Sequence, residues 1–408
     1  MPVLERKVEA NSFLPRLAFA YLRGELHFAQ LVAFFKHYQH LYTIGIDTNA
    51  ICNLDCGYCY LDRYRLKKGD AYTPLDAFKQ TVRYLAQIGI DLIALVGKEP
   101  FADSRGSDLL QHLAELRNEG TPFRFGVVTN GTLVHRYIDR IPSSIDYIDI
   151  SLDGPKEIND RTRGRGVYDR ATTNARLLLK HGFELWISGV LHQGVAARGV
   201  LRTFVSDLVE THGITKFYFS PVRNFTGNLH PFLLTYAEIA SVQDELVDIA
   251  EKVRGVDLIV LDHPYEAVWR DYFFRYATDP DSVLDRLRVD GFGVVFEPLS
   301  KHSIRKLDIF PHSPWGTARI DAFGNYLADV EARTYEEPPT VGNIGDSALS
   351  ALRSDSVQLF LEPMLSSFLK NMEAACGAAF TDRALLSASM PQGSLYSANW
   401  RHAAIKAV

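Results

Sequence analysis

Hydrophobic and polar positions follow two alternating periods along the middle of the chain, and these periods predict strands separated by helices. Short apolar runs typical of buried strands occur at Thr43–Thr48, Asp91–Val96, Phe123–Val128, Tyr147–Leu152, Glu184–Leu191 and Lys216–Ser220. Helical periodicity occurs at Pro74–Ile88, Asp108–Asn118, Tyr168–His181 and Val200–Thr211. Repeated strand–helix units favour parallel strands joined by right-handed crossovers, so the pattern predicts an α/β fold.

Outside this region the periodicity changes. Residues 14–40 have a broad apolar stripe of helical spacing, and Pro231–Val253 is predicted to form a long helix. Residues 317–329 have the pattern of a β-hairpin that turns at Gly324-Asn325. The predicted divisions are an N-terminal helical segment (1–41), an α/β core (42–230), a helical and mixed connector (231–310) and a C-terminal α+β domain (311–408).

Composition and charge exclude several classes of function. The chain has 408 residues and a formal net charge of -5, which gives no signal for binding nucleic acid. No apolar run reaches the roughly 20 residues that span a bilayer, and no hydrophobic signal core follows the N-terminus. Because the chain has only 4 cysteines, we expect a protein of the reducing cytoplasm with no membrane partner.

Three of the cysteines are concentrated in one short segment. Cys52, Cys56 and Cys59 have the spacing C-x3-C-x2-C and directly follow the first predicted strand. Thiolates are soft ligands that suit zinc or iron–sulfur clusters. A zinc site usually has a second ligand pair downstream, and a ferredoxin cluster needs a fourth cysteine nearby; the sequence has neither. A three-thiolate cluster with one open iron is favoured, and zinc or incidental cysteines are the alternatives.

The segment Cys-Asn-Leu-Asp-Cys-Gly-Tyr-Cys resembles the signature of the radical S-adenosylmethionine (radical SAM) superfamily. The resemblance implies one [4Fe-4S] cluster held by Cys52, Cys56 and Cys59, whose open iron binds S-adenosylmethionine (SAM). It also implies reductive cleavage of SAM to a 5′-deoxyadenosyl radical that abstracts hydrogen from a substrate. The strand–helix units then correspond to the family's partial (β/α)6 TIM-like barrel, with chemistry at the C-terminal strand ends. Tyr58 matches an aromatic position near adenine, with a buried loop aromatic as the alternative.

A motif after the second predicted strand resembles a further SAM contact of the family. Gly97-Lys-Glu-Pro100 is similar to Gly-Gly-Glu-Pro, whose backbone and Glu contact the methionyl ammonium. A glycine there lets the backbone approach a ligand closely. The resemblance implies cofactor-binding roles for Gly97, Lys98, Glu99 and Pro100, although Lys98 replaces the second glycine. For Glu99 the alternative is a surface carboxylate at a strand end.

The third and fourth predicted strands end in similar matches. The resemblance implies a cofactor-binding role for Asn130, which lies in a Thr-Asn-Gly sequence that often ends the third strand in the family; a simple turn explains this sequence equally well. Ser151 and Asp153 belong to Ser-Leu-Asp-Gly, which resembles the peptide-modifying branch, where the serine bonds the SAM carboxylate or ribose. Arg163 has the spacing of an arginine that holds the methionyl carboxylate, with a surface ion pair as the alternative. Asn159 replaces the usual histidine of that motif.

The C-terminal region resembles, in outline, the SPASM domain of radical SAM maturases. The frame is present at Gly324-Asn325 and Gly342-Asn343-Ile344, whereas Ala328 and Asp329 stand where a cysteine is expected. Only Cys376 remains, and one thiolate cannot hold a second cluster that needs four. We therefore expect a degenerate SPASM-like domain that lacks cluster ligands. Cys376 is a candidate catalytic hydrogen-atom donor, with a buried apolar role as the alternative.

The resemblance leaves three classes of function open. The first is modification of a ribosomally synthesised peptide (RiPP) by epimerisation, crosslinking or rearrangement. The second is chemistry on a small molecule, such as a sugar or aminoglycoside, in natural-product biosynthesis; the third is a non-catalytic iron–sulfur or zinc protein. An electron donor, flavodoxin or ferredoxin, is implied as a partner. His192, Arg223 and Asn224 are candidate pocket residues at strand ends, with structural roles as the alternative.

Overall fold

The computed structural model describes residues 43–59, 72–87, 89–222, 231–263, 288–289, 294–308, 317–327 and 340–345. The strands are β1 (Thr43–Ile46), β2 (Leu92–Leu95), β3 (Arg124–Thr129), β4 (Tyr147–Ser151), β5 (Leu185–Leu191), β6 (Lys216–Pro221), β7 (Leu258–His263), β8 (Arg288–Val289), β9 (Val294–Pro298), β10 (Ser303–Asp308), β11 (Thr317–Ile320), β12 (Asn325–Leu327) and β13 (Thr340–Asn343). The helices are α1 (Leu75–Gln87), α2 (Arg105–Asn118), α3 (Lys156–Arg163), α4 (Val167–Lys180), α5 (Val200–His212) and α6 (Tyr236–Lys252). Short 3-10 turns lie at Val134–Arg136, Ile138–Arg140 and Gln193–Val195.

All of these strands belong to one sheet, in the order β13-β12-β11-β1-β2-β3-β4-β5-β6-β7-β10-β9-β8. The strands from β11 through β1 to β7 and on to β10 pair in parallel. The outer strands at both ends pair antiparallel. Across the described ranges the two ends of the sheet do not pair with each other. The fold is therefore an open, partial barrel, as the sequence predicts.

The two faces of the sheet differ in polarity, because successive side chains of a strand point to opposite faces. One face is fully buried and packs in one hydrophobic cluster with side chains of the helices, such as Phe78, Leu109, Leu178 and Phe204. Its strand residues include Ile44, Ile46, Ile93, Leu95, Phe125, Val127, Ile148, Ile150, Ile187, Phe217, Phe219, Ile259 and Leu261. The other face carries half-buried polar side chains, among them Asp149, Ser151, Ser188 and Tyr218. The helices therefore cover one side, and the polar side lines the concave interior of the partial barrel.

The observed elements agree with the predicted strand–helix pattern, with three differences. The parallel sheet extends beyond the predicted units, because β7 and β10 follow β6 and β11 adds to β1. Helix α3 is not predicted, since its short polar sequence has no apolar stripe. The helix predicted at Pro231–Val253 begins at Tyr236, because Thr235 and Glu238 form a capping box.

The predicted C-terminal hairpin is present as β11 and β12, and its turn contacts the Gly-Asn-Ile segment. Gly324 has a φ of 81°, a left-handed conformation that favours glycine. Asp321 accepts hydrogen bonds from the backbone N–H groups of Phe323 and Asn325, both at 2.9 Å. The amide of Asn343 donates to the carbonyl oxygen of Phe323 at 2.9 Å. The two framework motifs are therefore packed together, one strand away from β1.

Several predictions fall on parts of the chain outside the described residues. These parts are the helix at 14–40, the pocket residues Arg223 and Asn224, the positions Ala328 and Asp329, and Cys376. The division of the chain into four segments also stays a prediction. Within the described ranges, no helix combines the length and the hydropathy needed to cross a bilayer.

Candidate active site

The cysteine loop follows β1 and lies at the C-terminal edge of the parallel strands. Its backbone is fixed by hydrogen bonds from Cys59 N to Cys56 O (3.0 Å) and from Gly57 N to Thr162 O (3.1 Å). The thiols of Cys52, Cys56 and Cys59 are free, and all three residues are half-buried. One loop therefore presents three thiols at the edge where parallel barrels place their chemistry.

Burial disfavours the thiolate form of Cys52 and Cys56. It raises the pKa of Cys56 to about 12, and the positive charge of Arg163 acts against that rise. It also raises the pKa of Cys52, while hydrogen bonds from Leu54 and Asn130 oppose it. A thiol must lose its proton to become a metal ligand, so loading this loop with metal releases protons.

Asn130, in the loop after β3, contacts the cysteine loop. Its Nδ2 atom lies 3.7 Å from Cys52 Sγ and donates to Asn53 Oδ1 at 2.9 Å. Asn53 donates in turn to Thr132 Oγ1 at 2.8 Å. The network fixes the first cysteine relative to the C-terminal end of β3.

Glu99, which follows β2, is completely buried, so the surface-carboxylate alternative does not describe it. Its carboxylate accepts hydrogen bonds from Thr129 Oγ1 at 2.6 Å, Asn130 N at 2.8 Å and Phe101 N at 3.1 Å. Burial raises the pKa of Glu99, and these three donors counteract the rise. The carboxylate therefore holds the ends of β2 and β3 together.

Gly97 lies very close to the end of β1. Its φ is 48°, and a Cβ atom there would lie 3.3 Å from the Cα of Asp47. The Gly97 N–H donates to Asp47 Oδ1 at 2.7 Å. The same oxygen accepts from Arg319 Nε at 3.0 Å and Arg319 Nη2 at 2.6 Å. Asp47 thus joins the Gly-Lys-Glu-Pro loop, strand β1 and the C-terminal hairpin.

Asp153, after β4, is also completely buried and holds several elements together. Arg163 donates to it through Nε at 2.8 Å and Nη2 at 2.7 Å, and the Tyr58 hydroxyl donates to Oδ2. The backbone N–H of Val190 donates to Oδ1 at 3.2 Å. Burial alone would raise the pKa of Asp153, but the Arg163 charge and the hydrogen bonds from Arg163 and Tyr58 lower it below its usual value. Asp153 is therefore an ionised anchor that fixes Tyr58 beside Cys59.

Arg163 is a buried residue, not part of a surface ion pair. It is 8% exposed, and its guanidinium carbon lies 5.8 Å from the centroid of the Tyr58 ring. Because Nε and Nη2 each donate one hydrogen bond to Asp153, the hydrogens left for a ligand carboxylate are the second one on Nη2 and the two on Nη1. Asn159 Oδ1 accepts from Asp153 N at 3.1 Å. The residue at the family's histidine position therefore orders the backbone after β4.

His192 follows β5 and is 1% exposed. The Gly194 N–H donates to its Nδ1 at 3.0 Å. A backbone N–H can only donate, so the neutral ring carries its proton on Nε2. Burial lowers the pKa of His192, which favours this neutral form. Nε2 is buried without a hydrogen-bond partner in the described part of the chain, and its ring lies 6.1 Å from that of Tyr58.

The orphaned donor of His192 indicates a binding position. An unsatisfied buried donor costs about 1–3 kcal/mol. A ligand with a hydrogen-bond acceptor beside the Tyr58 ring would remove that cost. The sequence singles out His192 only as a strand-end residue, and its tautomer follows from the tertiary contact with Gly194.

The structure gathers the predicted residues from separate strands at one edge of the sheet. Ser151 ends β4 and is half-buried, Lys98 is half-buried, and Pro100 is buried. The predicted set at this edge is Cys52, Cys56, Tyr58, Cys59, Gly97, Lys98, Glu99, Pro100, Asn130, Ser151, Asp153 and Arg163. Cys376 lies outside the described residues, so its role stays a prediction.

Sequence reasoning missed the buried polar residues that support the cysteine loop. Asp47, Thr48 and Asn49 are at most 1% exposed. Asn49 Nδ2 donates to the Glu99 carbonyl at 2.9 Å, and Arg105 Nε donates to the Thr48 carbonyl at 2.7 Å. Three consecutive polar residues between an apolar strand and the cysteines are a signal that could have identified this segment.

The residues at this edge fit a thiolate-bound cluster and SAM. The donor set is three soft thiols on one loop, and the amide N–H of Asn130 faces the sulfur of Cys52. Over the described residues, no three His, Cys, Asp or Glu side chains are placed to hold one metal ion. The ligands of a four-iron cluster bind separate iron atoms, so they need not converge on one ion. The orphaned Nε2 of His192 supplies a donor for a ligand next to the loop.

Comparison with known proteins identifies one domain family. Residues 46–204 match the model of the radical SAM superfamily. A probable GTP 3′,8-cyclase of Methanococcus aeolicus is 24% identical over 149 residues, which cover 36% of this chain and 46% of the relative. The Fe-coproporphyrin III synthase of Methanosarcina barkeri is 27% identical over 213 residues, 51% of this chain and 48% of the relative. This chain therefore spans about half the length of these two relatives.

Longer similarities extend over most of the chain. The pre-heme d1 synthase of Dinoroseobacter shibae is 25% identical over 341 residues, 80% of this chain and 76% of the relative. Among solved structures, Streptococcus suis SuiB bound to its precursor peptide SuiA has a TM-score of 0.57 at 16% identity, covering 77% of this chain and 65% of SuiB. The enzyme anSMEcpe with bound AdoMet has a TM-score of 0.55 at 16% identity, covering 79% of this chain and 84% of anSMEcpe. At such identities the two structures establish a shared fold.

Proposed function

We propose that the protein is a radical SAM enzyme, because residues 46–204 match the model of the radical SAM superfamily. A [4Fe-4S] cluster on Cys52, Cys56 and Cys59 and a bound SAM, when present, supply a 5′-deoxyadenosyl radical that abstracts hydrogen from a substrate. The observation that carries the proposal is the loop of three free thiols at the C-terminal edge of an open parallel sheet. An electron donor such as flavodoxin or ferredoxin is required.

The side chains around the loop have the capacity to bind SAM. A carboxylate has about four acceptor positions, and the protein occupies three at Glu99, which leaves one for a ligand ammonium. We infer that His192 Nε2 donates to an acceptor of the ligand, and that the Arg163 hydrogens not bound to Asp153 and the Ser151 hydroxyl bind its carboxylate. Asp153 pairs with the Arg163 charge and holds its side chain in position.

Tyr58 offers an aromatic face next to Cys59. Its hydroxyl is held by Asp153, and its ring packs edge-on against Phe232 with 5.7 Å between the ring centroids. A ring fixed at both its edge and its hydroxyl loses little freedom when an adenine packs against it. Tyr58 is therefore proposed as a contact of the adenine.

A peptide is the proposed substrate. Two structural neighbours with the same fold were solved with peptides, SuiB with SuiA and anSMEcpe with the Cp18Cys peptide. The frame of Gly324, Asn325 and Asn343, which resembles the SPASM domain of peptide maturases, is assembled beside β1. Epimerisation, crosslinking and rearrangement are the reactions considered.

A small molecule is the second candidate substrate. The relative that aligns over 80% of this chain is named a pre-heme d1 synthase, and another is named an Fe-coproporphyrin III synthase. These names favour a low-molecular-weight substrate in a biosynthetic pathway, as does the sequence-based alternative of a sugar or aminoglycoside. Cys376 remains the proposed hydrogen-atom donor for an epimerisation of either class.

The test uses the full chain, reconstituted without oxygen with iron and sulfide. SAM and dithionite are added, and 5′-deoxyadenosine is measured by mass spectrometry, with a Cys52→Ala/Cys56→Ala/Cys59→Ala variant as the control. We expect 5′-deoxyadenosine from the wild-type chain and none from the variant. A wild-type chain that binds zinc, or binds a cluster without cleaving SAM, would instead support the non-catalytic alternative.

The substrate classes are separated by a second measurement. A short peptide encoded beside the gene and an iron porphyrin are each incubated with the enzyme in heavy water. Peptide deuteration or crosslinking with increased 5′-deoxyadenosine supports the first candidate. Deuteration of the porphyrin with increased 5′-deoxyadenosine, and no change in the peptide, supports the small-molecule candidate.

A further inference from the structure

We propose that Asn130 donates a hydrogen bond to the Cys52 sulfur and thereby raises the reduction potential of the cluster bound there. The proposal rests on the proposed function, since it concerns the metal centre of that site. It assigns Asn130 to the sulfur, whereas the sequence resemblance assigns it to SAM.

The orientation of the Asn130 amide follows from its neighbours. Its Oδ1 accepts from the Thr132 backbone N–H at 2.9 Å and from the Thr132 hydroxyl at 2.6 Å. A backbone N–H cannot accept, so the atom facing it must be the oxygen. The atom facing Cys52 Sγ at 3.7 Å is therefore the nitrogen, which carries the hydrogens.

The amide has little freedom to turn away from the sulfur. Asn130 is 7% exposed, and its backbone N–H donates to Glu99 Oε2 at 2.8 Å. Its second amide hydrogen is directed to Asn53 Oδ1 at 2.9 Å. The next residue, Gly131, has a φ of 74°, and a Cβ atom there would lie 2.8 Å from the Ile150 side chain. The turn that presents Asn130 is thus closely packed on both sides.

A hydrogen bond to a ligand sulfur acts on electron transfer. Reduction adds negative charge to the cluster, and part of that charge resides on the thiolate sulfurs. A neutral donor aimed at one sulfur stabilises the reduced state more than the oxidised state, so it raises the potential. Burial strengthens the effect, since little water screens the amide dipole. Asn130 therefore makes the cluster easier to reduce by a biological electron donor.

The experiment measures the midpoint potential of the reconstituted full chain without SAM, by redox titration followed by electron paramagnetic resonance. Asn130→Ala removes the donor, and Asn130→Asp replaces it with an oxygen while keeping the acceptor for Thr132. We expect the potential to fall in the order wild type, Asn130→Ala, Asn130→Asp. Asn343→Ala is the matched control, because Asn343 bonds Phe323 and Asn325 in the C-terminal turn and should leave the potential unchanged.

A second readout identifies the bond directly. Proton electron–nuclear double resonance of the reduced wild-type cluster should show an exchangeable proton whose coupling is lost in Asn130→Ala. Equal potentials and unchanged couplings in fully loaded wild type and Asn130→Ala would overturn the Asn130 proposal while leaving SAM cleavage intact. A third outcome is that the variants have the lower midpoint potentials expected here, but the cluster-loaded wild type cleaves no SAM. This outcome would overturn the proposed function and support the Asn130 bond. A wild-type chain that takes up no cluster would overturn both.

Discussion

Arg319 and Asp47 form a buried ion pair across 272 residues of sequence, with 2.6 Å between Arg319 Nη2 and Asp47 Oδ1. Arg319 is 2% exposed and Asp47 is fully buried. The same carboxylate oxygen accepts the N–H of Gly97, in the loop that carries Glu99. The C-terminal hairpin is therefore part of the support of the candidate site, since β11 pairs directly with β1.

Replacing Arg319 with Met should destabilise the protein. The substitution leaves the Asp47 charge buried without its cation, and breaking a buried pair from one side costs about 3–5 kcal/mol. Chemical denaturation of the full chain measures the change in the free energy of unfolding. The Asp47→Asn/Arg319→Met double variant should recover part of the loss, because it removes the buried charge; a double variant no more stable than Arg319→Met would contradict this account.

Removing the carboxylate of Asp153 should also destabilise the chain, by about 3–5 kcal/mol, because Arg163 is left buried and unpaired. Asp153→Ala is compared with wild type by denaturant unfolding. The matched control is Glu119→Ala, which breaks the exposed pair of Arg83 and Glu119 at 2.6 Å. We expect no measurable loss of unfolding free energy in Glu119→Ala, since solvent screens an exposed pair. Equal losses in the two variants would refute the assignment of Asp153 and Arg163 as a buried ion pair.

Each cysteine of the loop is expected to be necessary for the metal centre. Single Cys52→Ala, Cys56→Ala or Cys59→Ala substitutions should abolish cluster binding and 5′-deoxyadenosine formation, because a cluster with two remaining ligands is not retained. Iron and sulfide content and the absorbance of the reconstituted protein measure this. The Cys376→Ala variant should contain as much iron as wild type. A lower iron content in this variant would show that Cys376 is a ligand of the cluster.

His192→Phe should weaken SAM binding without changing iron content. The substitution keeps an aromatic ring but removes the Nε2 donor, and we expect a several-fold higher Kd for SAM in equilibrium dialysis of the loaded protein. His192→Gln, which restores an N–H donor, should recover part of the affinity. An unchanged Kd in His192→Phe would mean that Nε2 does not contact SAM.

Asp149 should make stability depend on pH. Burial raises its pKa to about 6, against hydrogen bonds from Ser188 and the charge of Arg163. The folded state therefore keeps a proton that the unfolded chain releases from about pH 4, so Asp149 costs stability progressively as the pH rises from about 4 to 6. Asp149→Asn should be more stable than wild type above pH 6, and the difference should vanish below about pH 4.

Thermal unfolding of both proteins across this pH range measures the effect. Ser188→Ala removes a donor to Asp149 Oδ2, so the pKa of Asp149 should rise further. In the Ser188→Ala background, the stability gained by Asp149→Asn should therefore reach its full value at a higher pH. A constant difference between wild type and Asp149→Asn from pH 4 to 8 would disprove the elevated pKa.

The sequence alone determined the architecture of the core and the identity of the three thiols. Strand periodicity is a local property, and a run such as Tyr147–Leu152 carries it in its own residues, so the strand bounds agree to within two residues. The spacing of Cys52, Cys56 and Cys59 is likewise contained in one loop. Apolar periodicity did not locate the start of helix α6, which is set by the cap formed by Thr235 and Glu238.

Only the tertiary structure decided which partners the buried polar groups have. The sequence does not show that Arg163 pairs with Asp153, because the pairing depends on how the segment after β4 folds back on itself. Arg319 had no sequence signal, since its role exists only once β11 pairs with β1. A buried charge must be compensated by whatever lies next to it in space, and the linear sequence does not record that neighbour.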